Sequence, residues 1–190
     1  AFINYLNHQE KSNVLMAPTG RAAKVISNYS GMEANTIHKS IYFQTTVDGQ
    51  MQFKLQQNKL QNAFFIVDEA SMIGSFGGIG GSFISKGDSL LDDIVKFVYS
   101  GINCKLVFVG DVAQLPPVGS NESDALKKDY LDYKYKIFCD EVNLTDITRQ
   151  SLNSGILSNA TLVRNIIDSK EAIFPILSDD FEDIKFLSGF

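Results

Sequence analysis

Apolar and polar positions in this chain fall in blocks. Short runs of consecutive apolar residues occupy positions 14–17, 64–67 and 106–109. A continuous run of that length suits a strand buried on both faces, as in a parallel sheet covered by helices. Other stretches carry helical spacing: Phe2, Ile3, Tyr5 and Leu6; then Ala22, Ala23, Val25 and Ile26; then Leu90, Leu91, Ile94, Val95 and Val98. A further helical stretch covers 154–167. Buried strands alternating with amphipathic helices predict an α/β fold with a mostly parallel sheet.

Local signals refine this outline. Pro18-Thr19-Gly20-Arg21 breaks the first strand before its helix, Gly31 closes that helix, and Thr36 can cap a short helix running through His38. Asp48-Gly49 between two β-prone runs predicts a hairpin over about 42–56. Its many amides and hydroxyls suit a protruding ribbon better than a core element. Pro116-Pro117 stiffens the loop after Gly110-Asp111. Residues 74–87 are rich in glycine and read as a mobile loop, residues 121–141 show no assignable pattern, and the chain is acidic and weakly patterned from Asp168 onward.

Composition narrows the class without naming a function. With 190 residues, 44% hydrophobic and 21% charged, the chain has the makeup of a soluble globular protein with one well-cored domain and part of another. No apolar run approaches a membrane span and no signal peptide opens the chain, so a cytoplasmic setting is expected. Cys104, Cys139, His8 and His38 are too few for a disulfide framework or a structural zinc site. The net charge of −5 argues against a uniformly basic nucleic-acid surface. Residues 1–60, however, carry six Lys/Arg against three Asp/Glu, so a local nucleic-acid path fits there best.

The candidate chemistry gathers where the strands end. Asp68 and Glu69 follow the apolar run at 64–67 directly, and in open α/β sheets ligands bind at that carboxyl edge. Such a pair suits two jobs, one acid holding hydrated Mg²⁺ and the other orienting a water against a phosphate. Taken alone, the pair fits a strand ending in a solvated turn better. Thr19 and Arg21, at a strand-to-helix turn, could seat a phosphate or form an ordinary turn with a solvated arginine. His38 alone reads as a structural histidine, and Gln114 alone as a loop residue. A phosphate-binding P-loop needs Gly-Lys followed by Ser or Thr; no Gly-Lys dipeptide occurs, and Lys86-Gly87 has the wrong order.

In combination, these segments resemble the superfamily 1 DNA helicases of the RecD, Dda and Pif1 type. The resemblance rests on APTGRAAK at 17–24, TIH at 36–38, IVDEAS at 66–71, GDVAQLPP at 110–117 and LTDITRQ at 144–150. Five motifs in the family's order make it specific. It implies a RecA-like P-loop NTPase fold, with residues 1–143 as most of the first RecA-like domain and 144–190 as the start of the second. It also implies ATP and Mg²⁺ as cofactors: Asp68 for the metal, Glu69 for the attacking water, Gln114 for sensing the γ-phosphate, and Arg149 for the charge developing on it. Thr19, Gly20, Arg21, Thr36 and His38 would lie along single-stranded DNA. Unwinding with 5′-to-3′ polarity, helicase–nuclease subunits as partners, and DNA recombination or repair as the setting are implied by the resemblance alone.

The departures from the family carry their own expectations. The family's P-loop precedes the first matched motif, and its later motifs follow the last one; neither is in this sequence. The expectation is a fragment of a helicase that is inactive in isolation, with exposed apolar surface and a tendency to self-associate. The hairpin sits where relatives insert a strand-separating pin, but it is short and lacks an aromatic tip. Two alternatives stay open. One is a PhoH-type ATPase, which lacks the PTGRAAK and TIH pair; the other is a non-catalytic nucleic-acid-binding or interaction module.

Overall fold

Parallel pairing organises the chain. The computed structural model describes residues 2–47, 50–75, 89–144, 154–169, 175–178 and 180–185. They fall in two compact units, Ala1–Asp140 and Glu141–Phe190. In the first unit, β1 (Asn13–Ala17), β2 (Ala34–Thr36), β5 (Phe64–Val67) and β6 (Lys105–Phe108) form a four-stranded sheet of order β2-β1-β5-β6. Every pairing in it is parallel, with Met16 opposite Val67 and Val67 opposite Phe108. This is the mostly parallel, helix-flanked sheet of a RecA-like P-loop fold.

Strand periodicity divides the core between the two faces of the sheet. Met16, Phe65 and Val67 point to one face, where they meet Ile37 and Ile41 of α3 (Ile37–Ile41) and Leu91, Ile94 and Val98 of α4 (Leu90–Tyr99). Leu15 and Ile66 point to the other, against Leu6 of α1 (Phe2–His8) and Ile26 of α2 (Gly20–Ser30). Each fully buried side chain of this size contributes about 1.5–3 kcal/mol, so the β1–β5 centre anchors whatever its strand ends carry.

Caps set where the helices begin. Thr19 accepts a hydrogen bond from the Ala22 amide, and Thr36 accepts one from the Lys39 amide, both at 3.2 Å. Gly31 ends α2 at φ 70°, a left-handed turn that glycine adopts without a Cβ clash. Ser89 and Asp92 close a reciprocal capping box on α4.

The hairpin is a separate two-stranded sheet, β3 (Tyr42–Val47) with β4 (Gln50–Leu55), in register from Tyr42–Leu55 to Val47–Gln50. Its tip, Asp48-Gly49, lies outside the described residues. The ribbon exposes Phe43 and Phe53, yet its root enters the core. The Tyr42 hydroxyl donates to Asp93 Oδ2 at 2.6 Å, and Gln56 Nε2 donates to the Tyr42 carbonyl at 2.7 Å.

Three features differ from the sequence reading. β2 has no apolar run; Ala-Asn-Thr pairs with β1 through its backbone. β6 is half-exposed rather than buried on both faces, because it ends the strand order and only one neighbour flanks it among the described residues. The unpatterned stretch contains a helix, α5 (Lys128–Tyr135), that buries only Leu131. Charge holds it instead: Lys128 pairs with Asp132 one turn on, and Lys134 reaches Asp92 of α4 at 2.8 Å. The expected mobile loop at 74–87 falls almost wholly outside the described residues.

In the second unit, α6 (Gly155–Ser169) is tied at its start by Asp183, which accepts from the Gly155 amide at 2.9 Å and from Ser154 Oγ at 2.7 Å. Asn159 and Ser178 exchange two further bonds.

Candidate active site at the carboxyl edge of the sheet

Because all four strands run parallel, their carboxyl ends open on one edge, and the strand order sorts what each delivers. β2 ends at Thr36, with His38 in the helix that follows. β1 ends at Ala17 and leads through Pro18 to Thr19, Gly20 and Arg21. β5 leads to Asp68 and Glu69, and β6 to Gly110, Asp111 and Gln114. The candidate DNA residues thus occupy the β2–β1 half of the edge and the acids with Gln114 the β5–β6 half. At about 4.8 Å between strands, the whole edge spans roughly 14 Å. Arg149 lies outside the described residues.

Thr19, Gly20 and Arg21 are exposed. The Thr19 oxygen is engaged as the cap of α2, but its hydroxyl proton and the arginine remain able to meet an anion at the helix start. Thr36 plays the same capping part for α3 and is half-buried. His38 is exposed along one side while its ring tilts against Tyr42, with centroids 5.5 Å apart. Partial burial lowers its pKa below the ordinary histidine value, so at neutral pH it is an uncharged donor or acceptor.

The acid pair is held by backbone. The Asp68 amide donates to the Met16 carbonyl at 2.9 Å, extending the β1–β5 ladder by one bond. Asp68 Oδ1 accepts the Glu69 amide at 3.0 Å, which leaves Oδ2 open among the described residues. Glu69 itself is left-handed, at φ 55° and ψ 38°, which turns the chain sharply out of the strand into the 3₁₀ turn Ala70–Met72. The next residue, Ala70, is fixed at both its backbone groups. The Ala70 amide donates to the Val109 carbonyl at 2.9 Å, and the Ala70 carbonyl accepts Ser123 Oγ at 2.8 Å.

The neighbouring loop is set by Asp111, whose carboxylate accepts the Ala113 amide at 3.0 Å and whose carbonyl accepts the Gln114 amide at 3.0 Å. Gln114 is exposed, and Val112, Leu115 and Val118 around it stand open at 80%, 77% and 88% of their surface. Gly110 sits against the acid turn: a Cβ there would come within 3.0 Å of the Ser71 backbone nitrogen.

This donor set suits magnesium rather than a protein-caged metal. Among the described residues no group of three or more His, Cys, Asp or Glu side chains converges. Magnesium commonly keeps most of its waters and takes one or two carboxylates, which Asp68 with its open oxygen can supply. Sequence reasoning missed Ser123. It stands in the polar run SNESD with no motif around it, and only its burial and its two carbonyl partners reveal it.

The chain has known relatives. A family model described as an AAA domain matches residues 1–120. The chain is similar to the ATP-dependent DNA helicase dda of Enterobacteria phage T4, 28% identical over 80% of this chain and 31% of that protein. It is similar also to the ATP-dependent RecD2 DNA helicase of Deinococcus radiodurans, 33% identical over 55% of this chain and 12% of that one. An uncharacterised protein of Acanthamoeba polyphaga mimivirus is 26% identical over 68% of this chain and 28% of its own length. The chain therefore spans less than a third of each of these relatives. No described helix is long and apolar enough to cross a membrane.

Proposed function

Because the chain belongs to the AAA domain family and, within it, to the superfamily 1 helicases of the RecD, Dda and Pif1 type, we propose that it forms the acid half of an ATPase site coupled to a single-stranded DNA path. In this reading the whole protein couples ATP hydrolysis to 5′-to-3′ movement along single-stranded DNA and to unwinding. Residues 1–143 are the first RecA-like domain, and 144–190 open the second. The observation that carries it is the sorted carboxyl edge, with acids on β5 and β6 and candidate DNA contacts on β1 and β2.

Bound ATP and Mg²⁺ would supply the phosphoryl group and offset the charge on its oxygens. The chain's own residues supply the remainder. Asp68 offers its open oxygen to the metal's water shell. Glu69 orients the attacking water and takes its proton, Gln114 contacts the terminal phosphate, and Arg149 stabilises developing charge. Thr19, Gly20, Arg21, Thr36 and His38 contact the DNA backbone, which gives little sequence preference. The lowered pKa of His38 makes it a neutral partner there, so the arginine is the charged contact of the set.

These 190 residues contain no Gly-Lys-Ser/Thr cradle. A polypeptide of this sequence alone therefore hydrolyses essentially no ATP, and its exposed Val112, Leu115 and Val118 favour self-association. The test is ATP turnover of the full-length protein with and without single-stranded DNA. DNA-stimulated, magnesium-dependent turnover that falls about 10²–10⁴-fold in Glu69→Gln is the expected result. Turnover unchanged in that variant, or stimulated by RNA and not by DNA, would contradict the assignment.

A further inference from the structure

We propose that Ser123 is a positioning residue for the acid pair, a latch through which the chain beyond the double proline sets the orientation of Glu69. The inference rests on the ATPase reading above. Ser123 is 7% exposed and is followed by the 3₁₀ turn Asp124–Leu126, well outside the motif segments. Its hydroxyl reaches two carbonyls of the acid turn, Ala70 and Ile73, each at 2.8 Å. One proton shared between two acceptors holds both ends of that turn at a fixed separation. The Ser123 oxygen in turn accepts the Ala125 amide at 3.3 Å, so the hydroxyl is itself held by its own turn.

A second, independent tie lies beside it, where Ser75 Oγ bonds the Asp124 carboxylate. The two contacts join the same pair of segments. On the opposite side the Ala70 amide is tied to the carbonyl of Val109, and a Cβ at Gly110 would press tightly on the Ser71 backbone nitrogen, 3.0 Å away. Ala70, the residue directly after Glu69, is thus gripped at its amide and at its carbonyl by the chain on both sides of the Gln114 loop. A displacement of that loop moves the Ala70 backbone, and with it the direction of the Glu69 side chain. A left-handed residue has little freedom to compensate, because its φ/ψ region is narrow. Geometry of this kind acts on rate: a shift of about 1 Å in a catalytic group can cost 10²-fold.

The experiment compares Ser123→Ala and Ser123→Thr in the full-length protein. The readouts are kcat and KM for ATP, single-stranded DNA affinity, and hydrogen exchange of the amides of Ala70–Met72 and Ile73. The alanine variant should lose about tenfold in kcat, with KM and DNA affinity within twofold of wild type. Exchange should rise in the acid turn and not in β1 or β5, and threonine, which keeps the hydroxyl, should restore both readouts. Should the added methyl unfold the threonine variant, Ser75→Ala serves in its place and should give a smaller loss of kcat with the same exchange pattern. An alanine variant with wild-type kcat overturns the proposal. So does one whose KM, DNA affinity and strand protection fall together with kcat, since that marks a structural role only. If Glu69→Gln is inactive while Ser123→Ala is normal, the latch fails and the ATPase reading stands; if Glu69→Gln is fully active, the reading itself fails.

Discussion

Glu69 holds a backbone conformation that costs a non-glycine residue about 1–2 kcal/mol. The cost makes sense if side-chain placement at that position matters more than local stability. Glu69→Gly should therefore stabilise the fold by about 0.5–1 kcal/mol in urea melts while abolishing turnover. Unchanged or reduced stability would show that the left-handed turn stores no strain. His38 supplies a second residue-level prediction. Its folded pKa lies below the unfolded value of about 6.5, so the folded state favours the neutral ring and its contribution is complete above that pH. Stability should fall as pH drops through the window beneath 6.5, and less so in His38→Gln, as followed by thermal melts between about pH 5 and 7. At this scale the sequence was partly legible. Asp68 and Glu69 could be found because an apolar run leads straight into them, whereas the left-handed turn at Glu69 and the Ser123 contact arise from segments that meet only in the fold.

At the scale of elements, α4 links the core to the less regular chain after it. Asp92 closes the capping box with Ser89, accepts Lys134 Nζ at 2.8 Å and accepts the Tyr135 hydroxyl at 2.9 Å. Burial alone would raise its pKa, but the hydrogen bonds from Lys134, Ser89 and Tyr135 prevail and hold its carboxyl well below the usual range. A depressed folded pKa stabilises the protein above the unfolded carboxylate value near 3.9, and the gain fades as pH falls from there through the folded value. Asp92→Ala should cost about 2 kcal/mol at neutral pH through the lost cap and charged bonds, and the deficit should shrink in acid. An equal deficit at neutral and strongly acid pH would place the effect in packing instead. These ties also explain why α5 escaped the sequence reading: its residues alternate charge and aromatics without an apolar stripe, and its partners lie on α4. By contrast β1, β5, α2 and α4 were readable because runs, spacing and caps agreed. The hairpin was readable from Asp48-Gly49, but the burial of its root was not, because Tyr42 and Asp93 lie far apart in sequence.

For the whole molecule, the arrangement that matters is the proposed division of one sheet edge into a DNA-contacting half and a phosphate-handling half on adjacent strands. β1 and β5 are hydrogen-bonded neighbours, so the helix start bearing Arg21 and the turn bearing Glu69 share a rigid, buried base. In the proposed reading such a base would carry the DNA contacts and the phosphate chemistry on separate, adjacent strands. It also predicts that the two functions separate cleanly by mutation. The most direct test is single-stranded DNA affinity of the full-length protein across a salt series, with Glu69→Gln and Arg21→Ala side by side. Glu69→Gln should bind DNA as wild type does despite its lost turnover, while Arg21→Ala should weaken binding several-fold and lower the salt slope by about 0.7. The contradicting result would be Arg21→Ala with wild-type affinity and slope, together with Glu69→Gln impaired in DNA binding.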